Sequence, residues 1–434
     1  MTQYFFFTIL IISSYLGASS SILVELSTED NRTPLYLNAL TVQGSGLPAE
    51  HVKRLEETLR FDLSHNGSTL CLDSSPRKDT SGVGCSVTAT LANKTLSIVM
   101  ADTKGTWQKS LDGIALSGDT DDDRRQMHRV ADAIHYTLFN LPGIASTHLL
   151  YTLRLPGEKP NTWISEVWEA DYDGKNAKRV ARDSGYCVTP TYLPPKEGKA
   201  SSAFLYVSYA NGQPKMYLSS LKDFKPQRLS LLRGNQLMPT VSKQRDKIAF
   251  ISDATGNPDL FLQDFSTEKG LLGKPYQVIA THSATQASPT FSPDGKRLAF
   301  ASNKDGNPRI YMIEIAKVVP GKPLKDAKLL TRACRENSAP VWSPDGEKIA
   351  YCALTDGVRQ IWVYDVTADQ EIQISHTPLH KENPSWAPNS RVLVYNTIDQ
   401  DKGDLYLLDL AMPVPVQLTS GNGQKRFPSW EPRS

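Results

Sequence analysis

The side chains with the widest chemical scope are eight histidines: His51, His65, His128, His135, His148, His282, His376 and His380. Two histidines four apart on one helix can hold a metal ion, and a histidine beside a carboxylate can move protons. His128 and His135 fall in one helical pattern but lie seven apart, so they are expected to be partly exposed helix residues. His376 and His380 have the right spacing, yet Pro378 between them argues for a loop. Asp171-Tyr172-Asp173-Gly174 offers two carboxylates to a metal, although Asp-Gly after a strand is more often a turn. The acid run Asp119 to Asp123 lacks the glycine and distal glutamate of a calcium loop, and Arg124 and Arg125 follow it at once. Gly-x-Ser-x-Gly, His-Glu-x-x-His, Gly-x-x-x-x-Gly-Lys and Cys-x-x-Cys do not occur. No catalytic residue, resident metal or cofactor is expected.

The element that organises the chain is a repeat. Ser288-Pro289-Thr290-Phe291-Ser292-Pro293-Asp294-Gly295 recurs as Ala339-Pro340-Val341-Trp342-Ser343-Pro344-Asp345-Gly346, each followed by an alternating apolar run. Weaker copies lead from Pro190, Pro239, Pro384 and Pro428, and the successive spacings are 49, 50, 51, 44 and 44. Such a period suits one four-stranded propeller blade per copy, hence six blades. Ser-Pro-Asp-Gly is a hairpin turn, and Asp305-Gly306-Asn307-Pro308 is the next turn within its blade. Leu329-Leu330-Thr331 and Gln417-Leu418-Thr419 are the candidate fourth strands. Asn389-Ser390 and Lys243-Gln244-Arg245-Asp246 replace the turn motif, the second almost beyond recognition. The copy at Phe427-Pro428-Ser429-Trp430 has no blade after it, whereas His148 to Thr152 and Trp163 to Asp171 read as later strands lacking a first one. The two halves are expected to complete one blade, closing the ring and hiding its open edges.

The expected organisation is a leader over 1–21, an α/β domain over 22–145 and a six-bladed all-β propeller over 146–434. The first segment combines the apolar run Tyr4 to Ile12 with Gly17-Ala18-Ser19-Ser20-Ser21, resembling a secretory signal although no Lys or Arg precedes the run. In the α/β part, a strand near Leu35 to Thr41 is followed by a helix from Pro48 through Val52, Leu55 and Leu59. Strands near Ser86–Leu91, Thr95–Met100 and Thr106–Ser110 precede a second helix with the apolar face Met127, Val130, Ala131, Ile134 and Leu138. A small mixed sheet with two helices results. Lys plus Arg is 48 against 46 for Asp plus Glu, a net +2 that gives no broad field for nucleic acid or anionic lipid. In an oxidising compartment Cys71 could pair with Cys85 and Cys334 with Cys352, while Cys187 is left over; buried thiols are the alternative.

Blade topology indicates a binding face. If each proline-led strand runs towards its Ser-Pro-Asp-Gly turn, the residues before the prolines and the second-to-third-strand turns share the opposite mouth. Before the prolines this selects Asn235 and Gln236, Gln286 and Ala287, and Arg335, Glu336 and Asn337. It also selects His380, Lys381, Glu382 and Asn383, and Gln424, Lys425 and Arg426. The turns add Asn257, Asn307, Arg309 and Arg359.

The junction His128-Arg129-Val130-Ala131-Asp132-Ala133-Ile134, Leu141-Pro142-Gly143-Ile144 and Thr147-His148-Leu149-Leu150-Tyr151, with Phe427-Pro428-Ser429-Trp430, resembles the TolB family of the Tol-Pal cell-envelope system. That resemblance implies a non-enzymatic periplasmic adaptor, monomeric and peripheral to the membrane through its partners. It implies that the propeller binds the peptidoglycan-associated lipoprotein Pal and that the mature N-terminal segment engages TolA. By position, that segment is Ser21 followed by Ile22, Leu23, Val24, Glu25 and Leu26, which would otherwise be an edge strand or a frayed end. A propeller hydrolase or lyase, using Glu336 or Glu382 at the mouth, is the alternative. An intracellular WD-type scaffold is disfavoured by the leader and the lack of Trp-Asp dipeptides.

Overall fold

The computed structural model describes residues 32–434 apart from 45, 73–83, 160–161, 184, 282 and 400–401. The leader and the Ile22 to Leu26 segment lie outside the described residues. The first domain contains β1 (Thr33–Leu37), β2 (Thr41–Gln43), α1 (Ala49–Ser64), β3 (Thr69–Leu72), β4 (Cys85–Ala92), β5 (Thr95–Asp102), β6 (Gln108–Ala115) and α2 (Thr120–Phe139). Its sheet runs β3-β1-β4-β5-β6 with β2 on β4, parallel around β1 and antiparallel from β4 to β6. Strict alternation buries Cys85, Val87, Ala89 and Leu91 of β4 under the helices. The acid run starts α2: Asp119 caps it by accepting from the N–H groups of Asp121 and Asp122. Asp123 accepts from the Ser117 and Gly118 N–H groups and from His51 Nε2 at 2.9 Å.

The cysteine pairings fail on geometry. Cys71 and Cys85 both stand in register with Leu35, on opposite sides of β1. With a strand between them they are about 9–10 Å apart, beyond the roughly 7 Å a disulfide spans. Cys352 faces Ser338, not Cys334, whose thiol lies 3.8 Å from Thr355 Oγ1.

The remaining chain forms six four-stranded antiparallel sheets. In the clearest blade the strands are Gln286–Phe291, Arg297–Ser302, Arg309–Glu314 and Lys328–Leu329. Its first turn is held by Ser292 Oγ, which accepts from the Arg297 N–H at 2.9 Å, and by Asp294, which accepts from the Lys296 N–H at 3.0 Å. The degenerate turn keeps this scheme because Ser242 Oγ still accepts from the Lys247 N–H, and Arg245 takes the positive φ of 63° that Gly295 takes at 69°. Ser390 does the same at 58°. Of the expected fourth strands, the first is Lys328–Leu329 and the second is shifted to Met412–Gln417.

The ring closes by joining distant segments. The terminal strand Gln424–Trp430 pairs antiparallel with β7 (His148–Pro156), which is followed by β8 (Trp163–Asp171) and β9 (Lys178–Ala181). Trp430 Nε1 donates to Thr147 Oγ1 at 2.8 Å, below the blade. One apolar core crosses the domain junction, uniting Leu55, Leu59, Met127 and Ile134 with Leu149, Tyr172, Val392, Leu407 and Trp430. Asn389 Nδ2 and Arg391 Nη1 add hydrogen bonds to the carbonyls of Asn66 and Gly67. Because Asn389 and Arg391 belong to a first-hairpin turn, the α/β domain sits on the turn face and leaves the mouth on the opposite side.

Candidate functional site

The first strands of the blades line a central channel enclosing about 200 Å³, walled by six X-Pro-X segments such as Thr189-Pro190-Thr191 and Asn383-Pro384-Ser385. In every blade the residue before the proline has positive φ: Thr189 48°, Met238 51°, Ser288 48°, Ala339 49°, Asn383 53° and Phe427 53°. Each coincides with a break in the strand register, so every channel-lining strand is bulged.

That bulge separates the mouth residues into two kinds. The residue three before each proline belongs to the strand and turns inwards, so Gln236, Gln286, Asn337, Lys381 and Lys425 are buried. They act as clamps on the preceding loop. Gln236 Nε2 donates to Leu232 O, and Gln286 Nε2 to Thr281 Oγ1. Asn337 Nδ2 donates to Thr331 Oγ1 and Cys334 O, Lys381 Nζ to Thr377 O and Leu379 O, and Lys425 Nζ to Ser420 O and Gly421 O. Gln424 is buried as well. These six are therefore not surface contacts, contrary to the expectation from their polar type.

Asn307, Arg335, Glu336, Arg359 and His380 are exposed, and Asn235, Asn257, Ala287, Arg309, Glu382, Asn383 and Arg426 are half-buried. Internal bonds hold several of the second group: Asn235 Nδ2 to Asp253 Oδ2 at 2.7 Å, Arg309 Nη1 to Thr331 O at 3.3 Å and Asn383 Nδ2 to Asn396 Oδ1 at 3.0 Å. The structure adds a cationic group. Glu382 is hydrogen-bonded by Arg359 and lies 3.7 Å from Arg426 Nη2. Arg154, stacked over Trp163 at 4.0 Å, completes the set. Burial lowers the Arg426 pKa against the pull of Glu382, and the Arg154 and Arg359 charges lower it further. Its Nε is buried without a hydrogen-bond partner. Two guanidiniums thus face one carboxylate, and Arg154 close to Arg426 adds to the surplus positive charge at the mouth.

Burial pushes the Lys381 ammonium down to about 8. The unfolded chain keeps that proton to about 10.4, so between these values the unfolded state binds more protons and stability rises with pH. Lys381→Gln keeps a donor, as Gln236 and Gln286 do in their blades, and is expected to fold without this alkaline gain. Urea midpoints of both proteins at pH 7 and pH 10 check this. A wild-type-to-variant difference that does not move with pH would refute the titration.

A second polar cluster lies at the domain seam. His128 and His135 are buried, not partly exposed, because α2 is covered by α1, the sheet and the propeller. His128 Nδ1 donates to Asp62 Oδ2 of α1 at 2.8 Å, and its Nε2 faces Asp171 and Asp173 of the turn after β8, each 3.9 Å away. That turn forms as expected, with the Gly174 N–H donating to Asp171 O at 2.8 Å. Tyr172 Oη donates to Asp62 Oδ1 at 2.7 Å, and Arg124 pairs with Asp173. Nearby, His148 Nδ1 donates to Glu431 Oε2 at 2.7 Å and Arg433 pairs with Asp132 at 2.7 Å. Burial opposes charging His128, but the Asp62, Asp173 and Asp171 carboxylates raise its pKa above the usual histidine value. The sequence signal was slight: Asp62 and His128 are 66 residues apart, and only domain docking unites them with Asp171.

These features define a class: a closed six-bladed propeller with an α/β domain fixed to its turn face and an open mouth opposite. The TolB beta propeller domain model matches residues 137–434. A TolB homologue of Protochlamydia amoebophila is 49% identical over 383 residues, 83% of this chain and 81% of that protein. One from Chlamydia caviae is 42% identical over 269 residues, 62% of this chain and 61% of that protein. The crystal structure of TolB from Acinetobacter baumannii has the same fold, with TM-score 0.72 at 21% identity, covering 93% of this chain and 97% of that one. The chain belongs to the TolB family.

Proposed function

We propose that the protein is a non-enzymatic periplasmic adaptor of the Tol-Pal system, delivered by cleavage of the 1–21 leader. In this reading the propeller mouth binds the lipoprotein Pal, and the Ile22 to Leu26 segment binds TolA. The adaptor thereby supports outer-membrane integrity and envelope constriction during division. Family membership supports the system, and the observation that carries the choice of face is the cationic group formed by Arg359 and Arg426 at Glu382 with Arg154 beside Arg426. Their surplus charge suits a partner's carboxylates, and the α/β domain leaves that face uncovered. A partner that binds one arrangement of the N-terminal segment more tightly shifts the equilibrium by at most its difference in affinity.

Crosslinked pull-down of the mature protein from its own envelope tests this. Pal and TolA are expected with the intact protein, and TolA recovery should fall at least tenfold when residues 22–30 are deleted. Unchanged TolA and Pal recovery after that deletion would remove the segment from the mechanism. Turnover of an envelope glycan that disappears in Glu336→Gln or Glu382→Gln would replace the adaptor by the enzyme.

A further inference from the structure

The seam cluster has the make-up of a metal site. His128 Nε2, Asp171 Oδ2 and Asp173 Oδ2 lie mutually within 4.8 Å, and all three residues are buried. His128 is 2% exposed, and its Nε2 has no hydrogen-bond partner. A buried imidazole nitrogen without a partner is costly, and here the groups nearest to it are two carboxylate oxygens at 3.9 Å, too far for a hydrogen bond. The other ring nitrogen is already committed to Asp62 at 2.8 Å. In the neutral ring this carboxylate–imidazole contact keeps the proton on Nδ1 and the lone pair on Nε2, facing Asp171 and Asp173, as behind metal-bound histidines; a cation there takes the place of the second ring proton that the carboxylates otherwise favour.

We infer that His128, Asp171 and Asp173 form a binding site for one divalent transition-metal cation that fastens α2 of the first domain to the β8–β9 turn of the propeller. Three arguments support it. In a tetrahedral zinc site with bonds of about 2.0–2.2 Å, ligand atoms stand about 3.4 Å apart, so each carboxylate oxygen needs to approach the imidazole nitrogen by about half an ångström, while the two oxygens, within 4.8 Å of each other, draw together as well. Charge also permits it: with Asp62, Asp171 and Asp173 ionised against Arg124 alone, a dication can replace the proton that the carboxylates draw onto His128. Finally, Asp171 Oδ2 already accepts from Asn176 Nδ2 at 2.5 Å and Asp173 Oδ2 from Arg124, which orients both carboxylates while leaving each oxygen a second lone pair. One imidazole with two carboxylates favours zinc or a neighbouring first-row ion over calcium, which takes oxygen ligands.

The test uses the untagged full-length mature protein and zinc alone as the probe. Calorimetric titration is expected to give one equivalent bound with a Kd in the micromolar range and a rise in Tm at saturation. His128→Gln and Asp173→Asn should each weaken binding at least thirtyfold. Because either variant disturbs buried groups, a long-range proton–nitrogen spectrum of the wild-type imidazoles provides the second measurement. Stoichiometric zinc should move the His128 Nε2 resonance and leave those of His51 and His135 in place. Three results would overturn the site: no binding at 1 mM zinc, zinc responding at His148, His376 or His380 instead, or a His128 ring doubly protonated at pH 7 and indifferent to zinc.

Discussion

A chain ending at Gly423 is expected to lose the folded propeller. The terminal strand Gln424–Trp430 supplies the first strand of the blade that β7 to β9 continue, so its removal opens an edge on β7 and uncovers the side chains that the neighbouring blades pack against it. Trp430 also leaves the junction core, where it is 4% exposed, donates to Thr147 and stands 6.2 Å from the Tyr172 ring. Its truncation alone, Trp430→Ala, should cost about 3–5 kcal/mol, a large share of the roughly 5–15 kcal/mol that holds a typical domain together. The deletion adds loss of the strand ladder and of the Glu431–His148 and Arg433–Asp132 pairs. Urea unfolding followed by circular dichroism should show a lowered midpoint for Trp430→Ala, and size exclusion should show aggregate for the truncated chain. A truncated monomer that unfolds cooperatively at the wild-type midpoint would show that the open ring is stable by itself.

Reversing one charge at the mouth should have the largest effect on partner binding. Arg359 is exposed and bonds Glu382, whereas Arg426 is half-buried among the same charges. Arg359→Glu places two carboxylates together and changes the local balance by two units without touching a buried clamp. Pal affinity is expected to fall about 30- to 100-fold, equivalent to about 2–3 kcal/mol, with a flatter salt dependence. Glu336→Gln, on the same face, should retain Pal within threefold. Calorimetric titration at two salt concentrations separates the outcomes, and equal affinity for wild type and Arg359→Glu would move the Pal site away from this mouth. Changes at Asn337 or Lys425 make poor probes, since both clamp loops from inside.

The blades were legible because turn chemistry is local. Ser292, Asp294 and Gly295 do in space what their order suggests, and even Arg245 follows because Ser242 keeps its part. Closure was legible from a strand at Phe427 without a blade and a blade at His148 without a strand. The mouth was read less well, since polar residues before a proline look like loop. Bulged first strands begin three or four residues ahead of their prolines, which turns Gln236, Gln286, Asn337, Lys381 and Lys425 inwards. The seam was hidden for another reason. His128 shows an ordinary helical spacing, and its environment is assembled from Asp62 on another helix and Asp171 in another domain.

Closure also has a kinetic side. The hydrogen bonds between His148 and Glu431 join positions 283 apart, whereas the hairpins within a blade link neighbours. Local hairpins form in microseconds, but a pairing across so long a loop must wait for most of the chain to collapse. Ring closure is therefore expected as the last and slowest step of folding, reached after the other blades have formed. Until then both unpaired edges are open to other chains, so the yield of refolding should fall as protein concentration rises, even where the finished ring is stable.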